Sequence, residues 1–292
     1  MKILLTGARG QLGQDCARVL GTEHTVYPFG SRELDIADPD QVRERMARVR
    51  PEVVINCAAY TAVDASESNQ DECWRVNAKG PAFLAAACAQ YAARLLHLST
   101  DYVFAGDRPV PQPYTEADPV GPLSQYGRSK LAGEEAVRAA CANHLIIRTA
   151  WLYGIGGRNF LKTMMRLAVR DPKRTIKVVN DQYGSLTWTH RLARQIKELL
   201  PGGLSGTIHA TAEGHGSWYE GASLFLTAMG VPFSLEPCTT AEYPTPAHRP
   251  VNSILDNSVL KENGLNRMVA WEEDVLTFAR QYHAELLAEA RG

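Results

Sequence analysis

The chain has 292 residues, 45% of them apolar and 22% charged, enough for one large or two smaller domains whose core needs no disulfide or metal staples. Thirty-one Lys and Arg against 32 Asp and Glu leave a formal charge of −1, which argues against nucleic acid as the main partner. The composition excludes disordered, collagen-like and low-complexity chains, and no apolar run reaches the roughly 18–20 residues of a membrane span.

In chain order, Lys2-Ile3-Leu4-Leu5-Thr6 reads as a first strand, with no signal-peptide pattern, so the cytoplasm is the expected compartment. Thr6-Gly7-Ala8-Arg9-Gly10-Gln11-Leu12-Gly13 then opens a helix over 11–20. The spacing is G-x-x-G-x-x-G. Glycines at Gly7, Gly10 and Gly13 allow a tight turn and close backbone approach to a pyrophosphate. The amides of a helix start, from Gln11 and Leu12 onward, favour phosphate. A second strand spans His24–Phe29. Beyond it, an acidic residue would bind a ribose 2′-hydroxyl and an arginine a 2′-phosphate. Ser31 and Arg32, with Arg9 as a second cation, tilt the reading toward NADPH; Glu33 competes, and NADH could also be accepted. Asp35 and Ile36 are candidates for the adenine edge.

A helix over 39–49, a strand at Val53–Cys57, a helical stretch over 70–92 that Gly80-Pro81 should kink, a strand at Leu95–Ser99, a helix over 124–142 and a strand at Leu145–Arg148 continue the alternation. Such βα alternation with continuously apolar strands predicts a doubly wound parallel sheet. After residue 150 the rhythm loosens. Helices are expected near 159–170, 188–199, 217–229 and 271–289, and a sixth strand at 175–179. The expected division is a dinucleotide-binding domain over 1–150 plus roughly 173–200, and a smaller C-terminal substrate lobe over 151–172 and 201–292. Six scattered cysteines form no C-x-x-C pair and read as small buried apolar residues.

Tyr126-Gly127-Arg128-Ser129-Lys130 starts the helix after the fourth strand. Positions i and i+4 share a face, so the phenol and ammonium can enter one cleft, where the cation is expected to lower the phenol pKa. Ser99-Thr100-Asp101-Tyr102-Val103-Phe104 ends the fourth strand, which places hydroxyls at the ligand crevice.

These features together resemble the extended short-chain dehydrogenase/reductase family, with a Rossmann-like α/β fold. Within it, Ser99–Phe104, Tyr126–Glu134, Arg148-Thr149-Ala150-Trp151-Leu152-Tyr153-Gly154, Asp181-Gln182-Tyr183-Gly184 and Arg249-Pro250-Val251-Asn252-Ser253 are similar to the dTDP-4-dehydrorhamnose reductases. The resemblance covers residues 1 to about 257 and implies reduction of a nucleotide-sugar ketone by NADPH. It implies Tyr126 as general acid, Lys130 as its partner and nicotinamide-ribose ligand, and Thr100 orienting the ketone oxygen. Ala58, Ala59, Tyr60 and Thr61 would lie along the cofactor. Val63, Asp101, Tyr102, Phe104 and Trp151 would line the sugar pocket, Asn159 would meet the nucleotide sugar, and Arg249 the diphosphate. Two departures stand out: Leu186 replaces a common proline, and Asp15 and His190 stand where some members hold magnesium through glutamates. A monomer or a metal-independent homodimer is therefore expected, with a magnesium requirement open and no metal ligand assigned.

Overall fold

Ile3, Leu4 and Leu5 are wholly buried along β1 (Lys2–Thr6). Successive side chains leave a strand on opposite faces. Ile3 and Leu5 accordingly enter one core cluster with Leu12, Cys16 and Leu192, while Leu4 enters another with Val42, Leu84 and Ile146. A strand apolar on both faces must be covered on both, and the computed structural model, which describes Met1–Gly292, shows that arrangement.

Six parallel strands form the main sheet. They are β1, β2 (Thr25–Phe29), β3 (Val53–Asn56), β4 (Arg94–Thr100), β5 (His144–Thr149) and, after an intervening β6 (Thr175–Val179), β7 (Gly206–His209). Their order is β7-β5-β4-β3-β1-β2. The chain moves from β1 to β2 on one side and then crosses to β3 on the other, so strand order reverses between β1 and β3. Ligands of such sheets bind outside the carboxyl ends at that reversal. Helices α1 (Gln11–Leu20), α2 (Pro39–Val49), α3 (Gly80–Tyr91) and α4 (Gln125–Ala140) cover the two faces.

The strand expected at 175–179 forms, but outside the main sheet. It pairs in parallel with β8 (Ser234–Cys238), Thr175 opposite Ser234. The sixth place goes to β7, beside β5 with Ile208 opposite Ile147. The physical reason is visible in burial. β6 alternates exposed and buried residues, whereas Ile208 is wholly buried in the sheet core. The segment 173–200 therefore divides: β6 contributes Ile176 and Val178 to a second core, while α6 (Thr189–Leu199) packs Leu192 and Ile196 under the sheet. The second core is completed by α5 (Phe160–Arg170), α7 (Trp218–Ala228), α8 (Trp271–Gln281) and α9 (His283–Arg291).

The kink expected at Gly80-Pro81 lies one turn earlier, as a π-helical turn at Arg75–Lys79. Proline offers no amide to the carbonyl four residues back and its ring crowds it. A widened turn before Pro81 relieves both demands. The expected 271–289 helix is likewise broken at Tyr282.

Candidate active site

The glycine turn sits at the strand-order reversal. Gly7 has φ 66°, and a Cβ there would lie 2.5 Å from the amide nitrogen of Ala58, beyond β3; one on Gly13 would lie 2.2 Å from the Gly7 carbonyl oxygen. Both approaches are to backbone, which cannot step aside, so side chains are excluded and the turn stays open toward solvent. Gly10 is the residue before α1 and supplies no side-chain cap. The helix start therefore presents amides to an anion, a cradle that fits a dinucleotide pyrophosphate.

The loop after β3 is held from beneath. Asn56, wholly buried, accepts from the Thr6 hydroxyl at 2.6 Å and from the Ala58 amide at 3.1 Å, and donates to His97 Nδ1 at 3.0 Å. Burial among Lys130 and Arg138 holds His97 well below its ordinary range, so it is the neutral acceptor this chain of bonds needs. Ala58, Ala59 and Tyr60 are half-buried and Thr61 exposed along the cleft.

Thr100, Tyr126 and Lys130 converge at the carboxyl end of β4 and the start of α4. Ser124 caps α4 by accepting from the Gly127 amide at 3.1 Å. Thr100 donates to Asp101 Oδ1 at 2.9 Å and accepts from the Tyr102 amide at 3.3 Å, its hydroxyl facing the Tyr126 side. Tyr102 meets Tyr126 edge to face, centroids 5.5 Å apart. Lys130 is 2% exposed, and its Nζ donates to the Leu98 carbonyl at 2.6 Å. Burial lowers its pKa to about 8, against the pull of Glu134. Burial also raises the Asp101 pKa to about 6 and pushes Tyr126 well above the usual phenol range, with Asp101 adding to the rise. The expected lowering of Tyr126 by Lys130 is thus outweighed by burial. A phenol that keeps its proton is what an acid needs before reduction.

Glu134, wholly buried one turn beyond Lys130, accepts from Ser99 at 2.6 Å, from Arg148 at 2.8 and 2.9 Å, and from Arg138 at 2.7 Å. It ties α4 to β4 and β5. The arginines hold its carboxyl below the usual range despite burial. The i, i+4, i+8 spacing of Tyr126, Lys130 and Glu134 was a visible signal for this member.

Several predicted contacts are placed differently. Ile36 is 3% exposed in the core beneath α3, because α3 covers that face; its side chain meets no open edge. Asp35 accepts from Arg75 at 2.7 Å. Arg9, 82% exposed, pairs with Glu33 at 3.1 Å, while Ser31 and Arg32 remain exposed. Phe104 is 2% exposed, stacked on Tyr114 at 4.4 Å with Arg148 over its ring, so it is core rather than a pocket wall. Asn159 caps α5 by accepting from the Lys162 amide at 3.0 Å and donates to Gln11 at 3.0 Å. Leu186 is 3% exposed and packs in the second core, a role its apolar side chain fills where proline was expected. Asp15 accepts from the Thr189 hydroxyl at 2.6 Å, and His190 is half-buried nearby.

A cavity of about 540 Å3 opens beside the second core, lined among others by Asp64, Phe160, Lys177, Trp218, Tyr243 and Arg249. Trp218 stacks on Trp151 at 3.6 Å. Trp151 itself takes φ 49°, a left-handed conformation that costs about 1–3 kcal/mol and tends to occur at functional sites. Arg249 donates to Asp64 at 2.8 Å and to the Thr245 hydroxyl at 3.3 Å. Sequence reading gave no site role to Phe160, although Asn159-Phe160 is part of the family pattern, and none to Trp218, which carries no spacing signal.

The switch-point glycine turn, the threonine at the end of β4 and the Tyr-x-x-x-Lys helix together define an extended short-chain dehydrogenase/reductase. Residues 1–284 match the model described as the RmlD substrate binding domain, and the chain belongs to that family. A dTDP-4-dehydrorhamnose reductase of Burkholderia thailandensis is 39% identical over 279 residues, covering 90% of this chain and 92% of the relative. A dTDP-4-keto-6-deoxy-D-glucose reductase of Streptomyces niveus is 38% identical, covering 92% and 93%. The crystal structure of dTDP-4-dehydrorhamnose reductase from Bacillus anthracis in complex with NADP has TM-score 0.92 and 38% identity, covering 96% of this chain and 99% of that one.

Proposed function

We propose that this chain reduces the 4-keto group of dTDP-4-dehydro-L-rhamnose to give dTDP-L-rhamnose, with NADPH as reductant. The observation that carries the reading is the convergence of Thr100, Tyr126 and Lys130 beside the glycine cradle.

NADPH, when bound, supplies the hydride. Gly7, Gly10 and Gly13, with the start of α1, would hold its pyrophosphate, Arg32 and Ser31 its 2′-phosphate, and Lys130 its nicotinamide ribose. As the ketone carbon accepts the hydride, its oxygen gains charge. Thr100 orients that oxygen, and Tyr126 gives it the phenolic proton. The Lys130 ammonium, buried one helical turn away, then stabilises the phenolate left on Tyr126. Val63, Tyr102 and Trp151 would contact the deoxysugar, and Lys177 and Arg249 the anionic diphosphate.

The test is the loss of nicotinamide absorbance with dTDP-4-dehydro-L-rhamnose, run with NADPH and NADH, the product identified by NMR. Oxidation giving dTDP-L-rhamnose is expected, faster with NADPH. A C4 epimer as product would overturn the rhamnose assignment. It would favour another dTDP-deoxysugar 4-ketoreductase, a reading that the Streptomyces niveus relative supports.

A further inference from the structure

The segment that follows Tyr153 runs toward α5 along one face of α1. Gly154 comes first. A Cβ there would run into the Thr189 hydroxyl, which donates to Asp15 of α1 at 2.6 Å. A Cβ on Gly156 would lie 2.8 Å from Gln14 Oε1, and one on Gly157 3.2 Å from Gln11 Cγ. Gly157 has φ 69°, which glycine adopts without strain. Asn159 donates to Gln11 Oε1 at 3.0 Å and to the Gly154 carbonyl at 2.8 Å. Gln11, Gln14 and Asp15 share one face of α1 by their spacing. The Gln14 side-chain amide donates in turn to the Arg9 carbonyl, inside the glycine turn, at 2.9 Å. The segment therefore lies against the helix start and the turn that form the pyrophosphate cradle.

One cation fixes the segment from its other side. Lys162 stands in the first turn of α5, its side chain only 10% exposed. Its Nζ donates to the Ile155 carbonyl at 2.9 Å, to the Gly157 carbonyl at 2.9 Å and to Glu289 of α9 at 2.6 Å. An ammonium has three hydrogens, and each finds a partner here. Two alternate carbonyls of a glycine-rich run, whose backbone would otherwise sample many states, are drawn to one point. Without the ammonium, both carbonyls and the carboxylate lose their partner.

We propose that Lys162 is a positioning residue for the cofactor. By holding Ile155 and Gly157 it keeps the Gly154–Arg158 segment on Gln11 and Gln14, and so keeps the start of α1 and the glycine turn preorganised for the dinucleotide pyrophosphate. The proposal rests on reading that turn as the cradle of NADPH, not on which ketosugar is reduced. A preorganised site binds more tightly because less ordering is left to the moment of binding. The effect falls on cofactor affinity rather than on the chemical step, because Thr100, Tyr126 and Lys130 stand on β4 and α4.

The experiment begins with Lys162→Met, which keeps the aliphatic stem and removes the three donors. NADPH affinity is read by fluorescence titration, amide hydrogen exchange over α1, and kcat and KM for each substrate with the other saturating. Lys162→Met should weaken NADPH about tenfold. It should also speed exchange at the Gln14 amide, which donates to the Gly10 carbonyl, while β4 amides keep their protection. At saturating NADPH, kcat and the ketosugar KM should stay within about twofold of wild type. A lowered kcat with NADPH affinity and Gln14 exchange unchanged would overturn the proposal, since loss of folded protein alone gives that result. Should Lys162→Met not fold, Lys162→Gln, which keeps a polar head but cannot bond all three partners, gives the same readout. The route is checked with Gln14→Met, which removes the Arg9 contact. Alone it should weaken NADPH, and added to Lys162→Met it should cost little more, because the two act in series. Fully additive losses would overturn the route through α1. If the wild-type chain turned over no ketosugar, titration and exchange would still decide the role of Lys162 while the reductase reading failed alone.

Discussion

Tyr126 and Lys130 are placed by helix periodicity and tuned by burial. On the proposed mechanism Tyr126→Phe removes the proton donor and little else. Turnover should fall by roughly a hundredfold or more, while NADPH affinity, measured by fluorescence, stays near wild type. Retained turnover would move the acid role elsewhere. The charge on Lys130 is lost as pH rises through about 8, so kcat/KM for reduction should decline above that pH. Stability has the opposite sign. The folded-state pKa lies below the unfolded value of about 10.4, so the unfolded chain binds more protons between those limits. The Lys130 contribution to stability is therefore full above the unfolded pKa and is lost as pH falls through about 8. Urea midpoints at pH 7 and 10 should show a flatter dependence in Lys130→Met than in wild type.

At the scale of elements, the glycine turn and α1 form one unit whose geometry leaves no room for a methyl group at position 13. Gly13→Ala drives a Cβ toward the Gly7 carbonyl, so turn and helix must separate. The expected cost is roughly 1–3 kcal/mol of stability, read by denaturant titration, with a weakened NADPH affinity in the fraction that folds. This turn was legible in advance because its glycines follow a strand and precede a helix. The π-turn was not. Gly80-Pro81 announced an irregularity, but where the helix absorbs it depends on the partner face of α4, where Gly133 admits the Asn77 carbonyl.

At the scale of the molecule, the Asp64–Arg249 pair ties the segment after β3 to the C-terminal part of the chain. The two side chains are 40% and 28% exposed, so the bridge itself contributes only about 0–1 kcal/mol. Its expected importance is as a holder of Arg249. If Arg249 binds the substrate diphosphate, Arg249→Ala should raise KM for the nucleotide sugar about tenfold or more, since hydrogen bonds to charged groups contribute roughly 1.5–3 kcal/mol. Asp64→Asn, which frees the guanidinium, should leave KM unchanged or lower it. Equal increases in both variants would instead mark a purely structural bridge.

Local patterns along the chain determined the parallel sheet, its first five strands, the glycine turn and the meeting of Thr100, Tyr126 and Lys130, because each rests on spacing within one element or at one strand end. Tertiary structure decided what depends on which surfaces face each other. It gave the sixth place in the sheet to Gly206–His209 rather than Thr175–Val179, buried Ile36 and Phe104, and turned Asn159 into a helix cap. It also set the proton affinity of Tyr126. The Lys130 cation one helical turn along suggests a lowered phenol pKa, but burial removes water from the phenolate and raises it. Burial is a property of the assembled fold, and no spacing of residues along the chain encodes its extent.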